Sequence, residues 1–130
     1  MLGTGIYPIT IAEMPTYSAD ADRIFEGDEQ EKLKEFLAVH PENGEIILGT
    51  NGVRRIIWPI SDQDHRKDTQ VIYYFRDLNM PLYMLAISED GEFADVDDEW
   101  REEVSQLVEV LVQEHGKIWR NAIRIDNNIA

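Results

Sequence analysis

Five of the twelve basic residues in this 130-residue sequence, Arg54, Arg55, Arg66, Lys67 and Arg76, fall between positions 54 and 76. Tyr73, Tyr74 and Tyr83 lie among or just beyond them, and His65 sits next to Arg66. Clustered guanidinium and ammonium groups suit contact with phosphates or with an acidic partner surface. A histidine beside them is the side chain whose ordinary pKa best suits proton transfer near neutrality. Tyrosines can stack on bases or donate to a phosphate. Plainer readings stand beside each of these. The cations can pair with Asp62, Asp64 and Asp68, and such exposed pairs add little stability. The tyrosines can be strand residues used for packing, and His65 an ordinary loop residue. His40 and His115 fall at expected helix ends, where they suit free carbonyls, and neither has metal-ligand spacing.

The elements that carry these residues can be read from periodicity. "GIYPITIAEMP" predicts a first strand, with Pro8 near its start. Ser18 is the expected N-cap of a short helix through "ADADRIF", with Asp20 and Asp22 favouring its start and Gly27 its stop. A second helix is expected from Asp28, placing Leu33, Phe36, Leu37 and His40 on one face, and closing at Pro41. Strand signals follow in "EIILG", "VRRIIWPI", "QVIYYFRD" and "PLYMLAIS", with the polar "SDQDHRKDT" expected as a loop. Strand alternation predicts Gln70, Ile72, Tyr74 and Arg76 on one face, and Val71, Tyr73 and Phe75 on the other. A last helix over about 97–115 presents Trp100, Val104, Leu107, Val108 and Leu111 to the sheet, with Gly116 as its stop. The expectation is one α+β domain over 1–130, with a core over about 6–115 and a C-terminal extension over 116–130. In that extension Ile118, Trp119, Ala122 and Ile123 could pack on the domain, on a second copy or on a partner.

Bulk properties narrow the function classes. There are no cysteines, which excludes disulfides, thiolate metal sites and a cysteine nucleophile. No apolar run approaches membrane-spanning length, and the start lacks the pattern of a secretory signal, so a cytoplasmic protein is expected. With 26 acidic and 12 basic residues the net charge is −14, a field that repels nucleic acid at long range. From Glu89 to Glu103 nine carboxylates face one cation, Arg101. The "ADVDDEW" part lacks the spacing of a calcium loop, and acidic residues at a helix start oppose the positive end of its dipole. An acidic helix start is thus the simpler account of that run than a calcium site.

The order of elements, and the residues filling "MPTYSADADRIF", "LKEFLAVHPENGEIILGTNGVRRIIW", "VIYYFRDLNMPLYML" and "ADVDDEWREEVSQLVEVL", resemble the RelE/HigB superfamily of toxins from type II toxin–antitoxin modules, in particular the HigB-like branch. The resemblance covers about Ile11 to Leu111 and is most specific where "GVRRIIW" meets "VIYY…PLYML". It implies a RelE-like β-α-α-β-β-β-α fold with a twisted, mainly antiparallel sheet, a helical hairpin and a C-terminal helix. It also implies an endoribonuclease, needing neither a metal nor another cofactor, that cuts messenger RNA on the ribosome and is held by an antitoxin with a helix-turn-helix DNA-binding domain. Such cleavage drives the 2′-hydroxyl onto the adjacent phosphate, and so needs proton transfer and cations for the developing charge. Carried onto this sequence, Arg54, Arg55 and Arg76 contact the phosphate, His65 and Tyr74 transfer protons, and Arg66 and Lys67 add RNA contacts. The sequence departs from the pattern at three places. Gln70 replaces an arginine, Ile57 a basic residue, and Ser88-Glu89-Asp90-Gly91-Glu92-Phe93 a run that tends to be basic. These departures favour weakened or lost cutting, and keep open a non-catalytic interaction protein that meets an antitoxin or a second copy. An acidic mimic of nucleic acid is a remoter alternative.

Overall fold

The computed structural model describes residues 9–62, 65–89 and 97–129. Pro8, Asp64, the 90–96 part of the acidic run and the opening of the expected core lie outside them. Along the chain come β1 (Ile11–Glu13), α1 (Pro15–Ile24), α2 (Glu29–Val39), β2 (Glu45–Ile46), β3 (Val53–Asp62), β4 (His65–Tyr74), β5 (Leu82–Glu89) and α3 (Asp98–Ile129). The fold is α+β, with three helices and one five-stranded sheet of order β1-β5-β4-β3-β2. The β1–β5 pair is parallel and the others are antiparallel.

Helix α1 begins earlier than its sequence signals suggest. Pro15 occupies the first turn, where its missing N–H costs nothing, and Met14 precedes it without a side-chain cap. Ser18 is therefore interior, and its hydroxyl donates to the Glu13 carboxylate (2.8 Å) rather than capping the helix. Glu13 also pairs with Lys34 of α2, so one carboxylate ties the end of β1 to both helices. The Lys34 hydrogen bond holds the Glu13 pKa below its ordinary value; desolvation opposes that shift, and Ser18 adds to it. Gly27, at φ +60°, makes the turn into α2.

Both faces of the sheet are covered. Helices α1 and α2 bury Tyr17, Ala21, Leu33 and Leu37 against Ile56, Val71, Tyr73, Leu82 and Met84. On the opposite face α3 lays Trp100, Val104, Leu107, Val108 and Leu111 over Val53, Ile72, Tyr74, Met80 and Leu85. The alternation expected for β4 holds across this division: Val71, Tyr73 and Phe75 join the first cluster, Ile72 and Tyr74 the second. In β5 the alternation slips at a bulge. Ile72 pairs with Ala86 but Tyr73 pairs with Met84, so Leu85 is the extra residue, and it shares a face with Ala86.

Three expectations are corrected. The polar "SDQDHRKDT" is not a loop: β3 runs to Asp62 and β4 starts at His65, with the ladder continuing through Ser61↔Arg66 and Asp62↔His65. Strand pairing of this kind needs backbone groups in register, and the apolar residues from Ile56 to Val71 set that register whatever the tip contains. Gly116 is not a stop, since α3 continues through it to Ile129. A glycine inside a helix costs only about 1 kcal/mol relative to alanine, which a long amphipathic period on either side can absorb. Finally "EIILG" contributes only two residues to the sheet, as β2, so all four strand signals between α2 and α3 are strands, one more than the β-β-β order that the resemblance implies.

Candidate functional site

The basic residues separate once they are placed on the strands. Arg54 lies on the α1–α2 side of β3. Its Nη1 donates to the carbonyl oxygens of Glu42 (3.0 Å) and Gly44 (2.7 Å) in the connection from α2 to β2. Its Nε is buried without a hydrogen-bond partner among the described residues. Beside it the Tyr73 hydroxyl donates to the Pro41 carbonyl (2.9 Å) and accepts from the Gly44 N–H (2.8 Å). Burial raises the Tyr73 pKa, so it stays a phenol. Arg54 and Tyr73 thus clamp a turn.

Arg55 points to the opposite face. Its Nη2 donates to Glu45 Oε1 (2.6 Å), directly across the β2–β3 ladder. Arg76 follows β4, half-exposed, with its Nε 3.9 Å from Asp77 Oδ2. None of these three cations makes an ion pair with Asp68 among the described residues. Gln70 pairs in the ladder with Ile57 and Ser88 and is buried.

His65, Arg66 and Lys67 occupy the first three positions of β4, opposite Asp62, Ser61 and Ile60. Tyr74 is the last residue of the same strand. Nine steps at about 3.4 Å each separate His65 from Tyr74, roughly 30 Å along the backbone. The strands therefore do not bring the expected proton-transfer pair together.

Tyr74 and Arg76 do meet. They form one wall of an open cleft of about 550 Å³, whose other wall is α3, with Val108, Glu109, Val112 and Gln113. Asn51, in left-handed conformation at φ 66° between Gly49 and Gly52, closes one end of it. Only 6% of Tyr74 is exposed, and no hydrogen bond engages its hydroxyl among the described residues. Burial raises its pKa; Arg76 lowers it in part and Asp77 adds to the rise. At neutral pH Tyr74 is thus a hydrogen-bond donor and not a base.

Periodicity indicated Tyr74, Arg76 and Val108, but not Glu109, Val112 and Gln113 of the opposite wall. The missed signal was helical spacing in α3: Val108 with Val112, and Glu109 with Gln113, are each four apart and so share a side of the helix. The start of α3 accounts for part of the acidity. Asp97 Oδ1 accepts from the Trp100 N–H (2.8 Å), as an N-cap does, and Asp98 and Glu99 stand in the first turn.

The cleft holds one cation and one carboxylate. That can orient a ligand with charges of both signs, but it cannot concentrate the positive potential that a phosphoryl transition state demands. Among the described residues no group of three or more His, Asp or Glu side chains could hold a metal ion. No described helix is long and apolar enough to cross a membrane. No protein-family model matches the chain.

Proposed function

We propose that this chain is a RelE/HigB-like toxin component of a cytoplasmic toxin–antitoxin module, with weak action on messenger RNA. The observation that carries the reading is that "GVRRIIW" and "VIYYFRDLNMPLYML", the most specific parts of the resemblance, form the adjoining strands β3, β4 and β5. Two helices on one face and a long helix on the other agree with the architecture that such a toxin would have. The partner in this reading is an antitoxin with a helix-turn-helix DNA-binding domain, and the substrate is messenger RNA on the ribosome. The segment 116–130 is a surface for that antitoxin or for a second copy.

Weak action follows from where the cations stand. Arg54 is committed to backbone carbonyls and Arg55 to Glu45, on opposite faces, and the start of β4 is far from both Tyr74 and Arg76. The same placement favours a second reading, a non-catalytic interaction protein on this scaffold. A ribosome-dependent messenger RNA cleavage assay with purified protein, paired with induced expression in a bacterial host, separates them. Cleavage and growth arrest that fall in Arg55→Ala and Arg76→Ala support the toxin. Harmless expression without cleavage moves the assignment to the interaction protein. Arg54→Ala is unsuitable as the active-site control, because it perturbs the α2–β2 turn.

A further inference from the structure

We propose that the cleft between the end of β4 and α3 binds a small zwitterion of the amino-acid or short-peptide class, its carboxylate on Tyr74 and Arg76 and its ammonium on Glu109. Three features of the cleft lead there. The Tyr74 ring is nine-tenths buried, while its hydroxyl opens into the cleft and makes no hydrogen bond among the described residues. A phenol held by a buried ring and open to a cleft is a fixed donor that a ligand oxygen can accept from. Arg76 stands on the same wall with only a long contact to Asp77, 3.9 Å away, so its guanidinium is available to the same oxygens.

The opposite wall sets the rest of the ligand. Glu109 faces the cleft from α3 and would repel a ligand of purely negative charge, such as a free phosphate. It favours one that also carries a cation. Val108 and Val112, one turn apart, offer an apolar strip between the two charges, suited to an aliphatic side chain. Gln113 adds an amide on that wall. A volume of about 550 Å³ leaves room for a ligand of one or two residues.

The test is a titration of the full chain, followed by amide chemical-shift changes or calorimetry, with L-leucine and dileucine as probes. Leucinamide lacks the carboxylate and N-acetyl-leucine lacks the ammonium. Saturable binding of leucine or dileucine, weakened at least tenfold in both blocked compounds, is the expected result, and the preferred length separates a free amino acid from a peptide end. Tyr74→Phe and Arg76→Gln should each weaken binding severalfold. Both leave the ring and the aliphatic stem in place, and an unchanged circular dichroism spectrum confirms that the variant is folded. Glu109→Gln should remove most of the discrimination against N-acetyl-leucine. The proposal fails if neither probe saturates by about 10 mM, a range in which even millimolar affinity registers. It also fails if binding is undiminished in Tyr74→Phe and Arg76→Gln, or if inorganic phosphate binds more tightly than leucine. Neither probe nor readout involves RNA, so the toxin reading is unaffected by either outcome.

Discussion

Replacing Gly44 by alanine should be one of the most damaging single-methyl changes in this protein. A Cβ at that position would lie 2.7 Å from the Tyr73 hydroxyl oxygen, 2.9 Å from Tyr73 Cε1 and 2.9 Å from the Arg55 carbonyl oxygen. Backbone at β3 and a fully buried ring cannot retreat as a surface side chain would. Crowding of this kind costs about 2 kcal/mol. Pushing the ring away also weakens the bond from the Gly44 N–H to the hydroxyl, worth about 1 kcal/mol. The sum, about 3 kcal/mol, corresponds to a fall in Tm of roughly 12 °C, taking about 4 °C per kcal/mol for a chain of this size. Thermal unfolding by circular dichroism measures it. Tyr73→Phe supplies the internal check, since it removes the closest of the three contacts together with both hydroxyl hydrogen bonds. In that background Gly44→Ala should cost only about half as much, a coupling expected of touching residues. A cost below about 1 kcal/mol, or an identical cost in both backgrounds, would refute the clamp.

Three further outcomes are expected. Arg54→Ala should lower Tm by several degrees, read by the same thermal melt, because the Glu42 and Gly44 carbonyls lose a charged donor. Arg76→Ala, at a half-exposed side chain with one long ion contact, should leave Tm within about 2 °C of the parent. Glu13 has a folded-state pKa below its ordinary 4.5, so its contribution to stability is complete above that value and is lost as pH falls through the lower folded-state pKa. Glu13→Gln should therefore lower Tm near neutrality but flatten the loss of Tm below about pH 4.5. A series of melts across pH compares the two slopes.

Much of this fold was legible because its strands and helices are bounded by strong local signals. The apolar stripes of α2 and α3 and the alternation of β4 predicted their buried faces, except at His40, which caps the end of α2 and is exposed. Long polar strand ends were not legible. Composition at 61–68 resembles a loop, and only pairing partners distant in sequence make it a ladder. A glycine stop at 116 was a reasonable local inference that the longer helical period overrode. One misplacement was avoidable. If "GVRRIIW" is a strand, Arg54 and Arg55 must point to opposite faces, so they cannot share a phosphate. The separation of His65 from Tyr74 follows equally from counting residues along one strand. The commitment of Arg54 to the turn at 41–44, by contrast, depends on how α2 returns to the sheet, and nothing in the spacing reveals it.

That separation has a measurable electrostatic consequence. Arg66 and Lys67 open β4 and Arg76 follows its other end, roughly 30 Å away along the backbone and well beyond a Debye length of about 8 Å at physiological salt, so the cations at the two ends cannot reinforce one another at a single phosphate. Of Arg54, Arg55 and Arg76, Arg55 is held at 2.6 Å by Glu45 and Arg54 by two carbonyls, leaving Arg76 the least committed. A single-stranded RNA oligonucleotide should therefore bind weakly, and the dependence on salt should be shallow. With one phosphate contact the slope of log K against log salt is about −0.7, whereas three arginines acting together would give about −2. Fluorescence anisotropy across a salt series distinguishes the two slopes, and Arg76→Ala should abolish the dependence where it exists. A slope near −1.4 that survives Arg76→Ala would mean that the two arginines of β3 converge after all, and the division of Arg54 and Arg55 between the two faces of the sheet would have to be abandoned.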